Sequence, residues 1–319
     1  MLTSKLCRAE DFRSDWVLTW ERALRDDPAR PTGRLAFLDR KLWEWCAIAR
    51  ALEEHDMLRP GRRGCGFAVG REPLASAFAV RGVSVLATDG PEAAEHWGPS
   101  GEHAASLDAV FNPGIIDRAA FDARVRHQMV DMRDLGALPD GGFDFLWSSC
   151  ALEHLGSLEA GLEFVRAAMR LLRPGGVAVH TTEFNISSDT ATVERGDNVL
   201  YRRRDIEALA FRVRFEGAAL LPPDFDPGHE PDDLAFDVAP YYSHGRPHMK
   251  LLLNGYVATS MLLVLQQGVR PPMPVAPPPP PGPEPPAAPE PPSTPEPRLC
   301  LPRRVLRRCR RLFGCCAAR

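Results

Sequence analysis

The stretch that most constrains this chain runs from Arg63 to Asp89, R-G-C-G-F-A-V-G-R-E-P-L-A-S-A-F-A-V-R-G-V-S-V-L-A-T-D. Gly64 to Val69 reads as a short buried strand entering a tight turn bracketed by Gly66 and Gly70. Glycine has no Cβ, so backbone there can take positive φ and approach a ligand closely. Pro73 suits a first helical turn, where its missing N–H costs nothing. Leu74, Ala77 and Phe78 give that helix an apolar face, and Arg81-Gly82 ends it. Val83 to Thr88 is rich in β-formers, with Asp89 at its C-terminal end. The result is one βαβ unit. Its physics favours a nucleoside at the strand tips, where loop N–H groups and a helix N-terminus meet an acid able to accept both ribose hydroxyls. The dinucleotide fingerprint G-x-G-x-x-G is not met, because Val69 stands where its third glycine belongs. A structural βαβ without ligand is the competing reading.

The composition is that of a globular protein: 319 residues, 44% hydrophobic and 25% charged. A net charge of −3 gives no reason to expect specific nucleic-acid binding. It hides a split, because the segment from Arg298 onward is rich in arginine and has no acid. Of the eight cysteines, Cys7, Cys46, Cys65 and Cys150 are scattered without metal-ligand spacing, and Cys300, Cys309, Cys315 and Cys316 fall in the basic end. This pattern fits a reducing compartment without a disulfide framework. Cys65 and Cys150, beside expected buried strands, read as packing residues. No apolar signal core opens the chain, and no run approaches the ~20 apolar residues of a bilayer span. The expected location is cytoplasmic, with peripheral membrane attachment through the basic end as a variant.

Residues 1 to about 60 read as helical, with Leu38, Leu42, Cys46, Ile48 and Leu52 at helical spacing after a turn at Pro28 to Gly33. Within it, Trp43 and Trp45 either pack this segment on the core or help close a ligand pocket. Residues 90 to about 126 form a long connection with room for one or two short helices. His127 to Val130 is a third strand, with Asp131-Met132 at its tip and Asp134 and Asp140 nearby. Gly142 to Ser149 is a fourth strand. A helix from about Ser157 follows, stopped by Arg173-Pro174-Gly175-Gly176, and Val177 to Thr182 is a fifth strand. Phe211 to Phe215 is the candidate sixth strand and Gly255 to Leu265 the last.

The run G-F-A-V-G, together with F-D-F-L-W-S-S-C-A-L-E-H-L-G, a helix and L-L-R-P-G-G-V-A-V-H-T-T-E, resembles class I S-adenosylmethionine (SAM) dependent methyltransferases over roughly residues 60 to 185. The resemblance implies a doubly wound α/β fold: a mostly parallel seven-stranded sheet, an antiparallel last strand and an N-terminal helical cap. It implies SAM as cofactor, held by Gly66, Ala68, Gly70, Glu72, Asp89, Asp131, Met132 and Ser149. Asp131 then accepts the adenine amino group and the Met132 N–H meets the ring. Ala68 departs from the glycine many relatives have there, and Glu72 can touch the cofactor's amino-acid end. A base for an O or N acceptor belongs at the ends of strands four and five, where His154 is the first candidate and Glu183 the second; Glu153, His180 and Asn185 lie alongside.

The domain reading is a cap over 1–60, a SAM-binding domain over 61–270, a Pro-rich linker over 271–298 and a basic amphipathic tail over 299–319. The linker, which is extended and disordered on composition, holds many of the 32 prolines. In the tail Val305, Leu306, Cys309, Leu312 and Phe313 fall at helical spacing between arginines, which suits an anionic membrane surface or an acidic protein. The expected acceptor is a small molecule or a sugar or glycan. The competing function is a non-catalytic module of the same fold acting through its tail. A short-chain dehydrogenase is disfavoured because none of Tyr201, Tyr241, Tyr242 and Tyr256 has lysine four residues on. No metal is expected: His244 and His248 are spaced as on a helix, but Pro247 argues against one.

Overall fold

The computed structural model describes residues 1–24, 38–91 and 103–268. The linker and the tail expected at 271–319 therefore lie outside the described residues. In chain order the strands and helices are β1 (Lys5–Leu6), α1 (Asp15–Ala23), α2 (Arg40–Glu54), β2 (Arg63–Phe67), α3 (Leu74–Ala79), β3 (Ser84–Asp89), α4 (Leu107–Val110), α5 (Arg118–Arg124), β4 (Val125–Met129) and β5 (Phe143–Ser149). After them come β6 (Gly156–Ser157), α6 (Leu158–Ala168), β7 (Leu172–Asn185), β8 (Arg195–Gly196), α7 (Arg203–Val213), β9 (Ala218–Leu220), α8 (Pro231–Leu234), β10 (Lys250–Leu253) and β11 (Tyr256–Gln267).

The main sheet has the order β4-β3-β2-β5-β7-β11. Pairing is parallel from β4 to β7, and β11 joins β7 antiparallel over nine registered residues from Ala258↔Asn185 to Gln266↔Val177. Three short strands share the outer edge of β11: β10 at its start, β1 in the middle and β9 at its end. β6 and β8 form a separate small pair. The doubly wound parallel sheet with an antiparallel last strand is thus present, and β1 draws part of the N-terminal segment into it.

The strands are covered on both faces and therefore read as near-continuous apolar runs. On one face α1, α2 and α3 pack over Phe145, Trp147, Val177 and Val179; on the other, Phe164 and Val165 of α6 and Ile206 and Leu209 of α7 meet Cys65, Phe67, Leu146 and Ala178. A register shift between Phe143 and Phe145 sends those two side chains to opposite faces. The connection after β3 contains the two short helices α4 and α5.

Two expectations fail locally. Phe211 to Phe215 is not a strand: it closes α7 and runs into a 3-10 turn over Arg214–Glu216. Its alternation F-R-V-R-F looks like a strand, but Ile206, Leu209 and Val213 are buried at helical spacing and Phe215 is 77% exposed. The edge strand is β9, beyond Gly217 in the left-handed conformation (φ 71°). The turn at Arg173 to Gly176 lies within β7 rather than before it, because Leu172 already pairs with Phe143.

Candidate active site

The C-terminal ends of β2, β3, β4 and β5 lie at one edge of the sheet, where a doubly wound fold places its ligand crevice. The β2–α3 turn carries positive φ at Ala68 (48°) and at Gly70 (50°). Only at Gly70 does glycine meet that requirement; Ala68 adopts it with a side chain. Gly64 and Gly66 serve a different purpose. A Cβ on Gly64 would lie 2.2 Å from the Phe145 ring, and one on Gly66 would lie 2.3 Å from Trp147. Gly66 makes room for a buried indole.

Asp89, at the tip of β3, is 4% exposed. Its Oδ2 accepts from the backbone N–H of Gly70 at 3.3 Å and of Ala104 at 3.0 Å, and its Oδ1 from Gly90 at 2.8 Å. The acid therefore ties the glycine turn to the segment after β3 and uses about three of roughly four carboxylate lone pairs. Asp131 follows β4 as expected, with both oxygens on Arg133 (2.7 Å to Nη2), and that contact holds its carboxyl below the usual range. Met132 is buried in the apolar layer with Val130, Leu135 and Leu138. Asp89 and Asp131 occupy adjacent strand tips, each engaged by its own loop.

Glu72 ends the glycine turn. It is buried, and Oε1 accepts from Trp147 Nε1 at 2.7 Å. Burial pushes its carboxyl up to about 8, against the opposing pull of the Trp147 donor and of Lys41.

The second half of the site comes from α2. Asp39 caps the helix by accepting from the Lys41 N–H at 2.8 Å. This turns Arg40 and Glu44, one helical turn apart, onto the ends of β5, β7 and β11. Arg40 Nη1 lies 3.0 Å from Glu44 Oε1 and 3.3 Å from Cys150 Sγ, and Nη2 lies 2.5 Å from Glu183 Oε1. Glu44 also accepts from Cys150 Sγ (3.1 Å), Ser149 Oγ (3.2 Å), Thr181 Oγ1 (3.4 Å) and Ser260 Oγ. Burial alone would raise the Glu44 carboxyl, but Lys41, Arg40 and the Ser260 and Cys150 donors outweigh it and bring it down to about 2. Cys150 sits at positive φ (46°) where β5 ends, and its thiol is pushed up by burial and then by Glu153 and Glu44. It belongs to this polar network, not to apolar packing as the sequence reading had it.

The two proposed bases have different partners. Glu183 is ion-paired with Arg40, and its Oε2 is buried without a partner. His154 closes the 3-10 turn Leu152–His154 and is partly exposed, with Nδ1 2.6 Å from the Asp197 carbonyl. A carbonyl only accepts, so Nδ1 carries a proton. Glu153, fully buried, accepts from Thr182 Oγ1 at 2.9 Å and leaves Oε1 without a partner. Burial pushes Glu153 up, His154 pulls against it and Glu183 adds to it. His180 is bound to Ser148 Oγ at 2.8 Å within the core, and burial brings its imidazole down to about 3. It is a structural residue. Trp43 does not close a pocket: it is fully buried, with Nε1 3.0 Å from Asp11.

A family model described as "Methyltransferase domain" matches residues 64–180. Residues 64–180 are thus similar to a methyltransferase domain. The match spans the glycine turn, Asp89, Asp131 and the ends of β5 and β7, and omits α2 with Arg40 and Glu44. The solved structure of a SAM-dependent methyltransferase from Mesorhizobium loti is similar at a TM-score of 0.46 and 17% identity, covering 70% of this chain and 97% of the other. That of the [4+2]-cyclase SpnF is similar at a TM-score of 0.47 and 14% identity, covering 71% and 84%. An O-methyltransferase family protein from Burkholderia thailandensis is similar at a TM-score of 0.40 and 17% identity, covering 72% and 60%. No curated protein matches the chain.

Among the described residues no group of three or more His, Cys, Asp or Glu could hold a metal ion, and no helix is long and apolar enough to cross a membrane.

Proposed function

We propose that this chain transfers a methyl group from SAM to an O–H or N–H acceptor entering at the ends of β5 and β7. The observation that supports this most is the buried polar network joining α2 to those strand ends. It places charged groups where the doubly wound fold leaves a crevice, beside a domain matched as a methyltransferase.

The residues fit a cationic nucleoside. On this reading Asp89 takes the ribose and Asp131 the adenine, and Glu72 is a buried acid that accepts a hydrogen bond from Trp147. Bound SAM supplies an electrophilic methyl group on a positive sulfur. The protein's part is to align the acceptor, exclude water and take a proton. His154, whose ring is held by the Asp197 carbonyl, is the candidate to take that proton. Arg40 and Glu183 hold the acceptor side rigid, and the two unpartnered carboxylate oxygens, Glu153 Oε1 and Glu183 Oε2, are available to a donor on the acceptor. A small molecule and a sugar or glycan both satisfy these demands.

Calorimetry with SAM and its demethylated product tests the cofactor half. Binding that is lost in Asp89→Ala is expected, and absence of heat with the intact chain would refute it. Release of demethylated product with a panel of hydroxyl and amine acceptors tests the rest, and His154→Ala should lower it by 10²-fold or more. For the tail at 299–319 the proposed partner is an anionic membrane surface, because arginines alternate there with apolar residues. Salt-sensitive vesicle binding should vanish on deletion from Leu299.

A further inference from the structure

Glu72 has a setting that a purely structural carboxyl does not need. It sits at the start of α3, directly after the turn whose Ala68 and Gly70 take positive φ. Trp147 of β5 gives it a single hydrogen bond. The charged groups facing it are Asp89 from β3 and both Glu44 and Lys41 from α2. Two of these three are acids. The one cation, Lys41, is engaged with Glu44 at 3.5 Å. A buried carboxylate short of positive charge is costly, and a protein meets that cost by keeping the group protonated or by admitting a cation.

We infer that Glu72 is the acid that receives the positive charge of the cofactor, and that it gives up its proton as the cofactor enters. This rests on the reading of the crevice as a SAM site. In the free protein burial holds the carboxyl neutral near pH 7, since it is pushed up to about 8. The Trp147 N–H, which donates to Oε1, is retained in both states. When a cationic ligand arrives, the carboxylate pairs with it and the proton passes to the solvent buffer. No bond of the ligand is made or broken. The crevice thus discriminates by charge: a neutral nucleoside leaves Glu72 protonated and gains nothing from it, whereas a cationic one is favoured more as the pH rises. Affinity for SAM then depends on the fraction of protein that is ionised at Glu72, which climbs roughly ninefold between pH 6 and pH 7 for a group at about 8.

The test is titration calorimetry of the full chain with SAM at pH 7, in phosphate and in Tris, whose ionisation enthalpies differ. The slope of observed heat against buffer enthalpy counts protons. The expected result is release of about 0.9 proton per SAM bound, from the fraction protonated at pH 7 with the group at about 8. Adenosine in the same buffers should release close to none. Glu72→Gln keeps the shape and a carbonyl oxygen for Trp147, and should bind SAM with no proton release and no rise in affinity with pH. Buffer-independent heat in the intact chain would overturn the inference while leaving the cofactor reading in place. Undiminished proton release in Glu72→Gln would overturn it as well. Absence of any SAM heat would instead remove the cofactor reading beneath it. A Glu72→Gln chain that fails to fold is identified by its circular dichroism, and Glu72→Asp, which retains the acid and shortens its reach, then replaces it; a wild-type proton count from this variant overturns the link to the side chain's position.

Discussion

Replacing Arg40 with leucine isolates the network that joins α2 to the sheet. Arg40 is 6% exposed and bridges Glu44, which is fully buried, to Glu183, which is 5% exposed. Leucine would leave Glu44 with Lys41 at 3.5 Å as its remaining cation and would leave Glu183 without an ion-pair partner. Removing one member of a buried ion pair costs about 3–5 kcal/mol, mostly as the penalty of the charge left behind. Glu183 is the acid stranded here, while Glu44 keeps Lys41, so the expected loss stays within that range. For a unit of this size it corresponds to a fall in Tm of roughly 6–20 °C. Urea unfolding at pH 7 reads the change directly, with m unaltered if the native and denatured states keep their compactness. The Arg40→Leu, Glu183→Leu double variant should recover part of the loss, because the stranded charge is gone, with a coupling of about 1–3 kcal/mol in the double-mutant cycle. If Arg40→Leu alone loses less than about 1 kcal/mol, the network is not the buried, paired assembly described above.

Three further outcomes follow. His180 is neutral in the core and brought down to about 3, so the unfolded chain binds more protons between pH 3 and 6.5 and stability falls as pH drops through that window. At about 1.4 kcal/mol per pH unit, His180→Gln should lose about 2 kcal/mol less than the parent between pH 7 and pH 5 in denaturant titrations; an equal loss would exclude the buried imidazole as a source of acid sensitivity. Gly66→Ala puts a methyl group 2.3 Å from the buried Trp147 ring and should cost about 1–3 kcal/mol with a shift in tryptophan emission; wild-type stability would mean that the indole moves aside freely. Cys150→Ser should resist thiol reagents without loss of methyl transfer, since the thiol is buried and pushed up rather than activated; abolished turnover in a folded variant would give it a chemical role.

The sheet was legible because its strands are short apolar runs separated by unambiguous turns, and because Asp89 and Asp131 each follow one directly. The edge strand was not, since two signals coincide at residues 211–215: alternation in five letters and helical burial over the preceding eight. Length decides between them, and the pattern from Ile206 to Val213 is the longer. The acceptor half of the site was hidden for another reason. Arg40, Lys41 and Glu44 have the i, i+3 and i, i+4 spacing of a solvated helix face, and nothing local says that this face is turned inward. Only the long-range partners Glu183, Cys150 and Ser260 reveal it. The eye was drawn instead to the aromatics Trp43 and Trp45 between those charges. Gly64 and Gly66 carry a requirement that the local sequence does not show: Phe145 and Trp147, on a strand about eighty residues away, leave no room for a Cβ at either. Glu153 and Glu72 were visible as acids, but their burial, which sets their chemistry, is a property of the assembled crevice.

The edge of β11 carries a lesson about timing. Lys5 and Leu6 pair with Leu262 and Met261, Ser4 Oγ accepts from the Val264 N–H at 3.0 Å, and Arg40 reaches Ser260. On a ribosome the opening segment emerges more than two hundred residues before the strand that it zips onto. Until then Phe12 and Trp20, which end fully or almost fully buried, have an incomplete shelter, and Arg40 and Glu44 cannot finish their circuit. The polar network that α2 supplies is therefore the last part of this unit to be completed, so a nascent or clipped chain lacking β11 would carry the glycine turn with Arg40 and Glu44 short of their Ser260 partner.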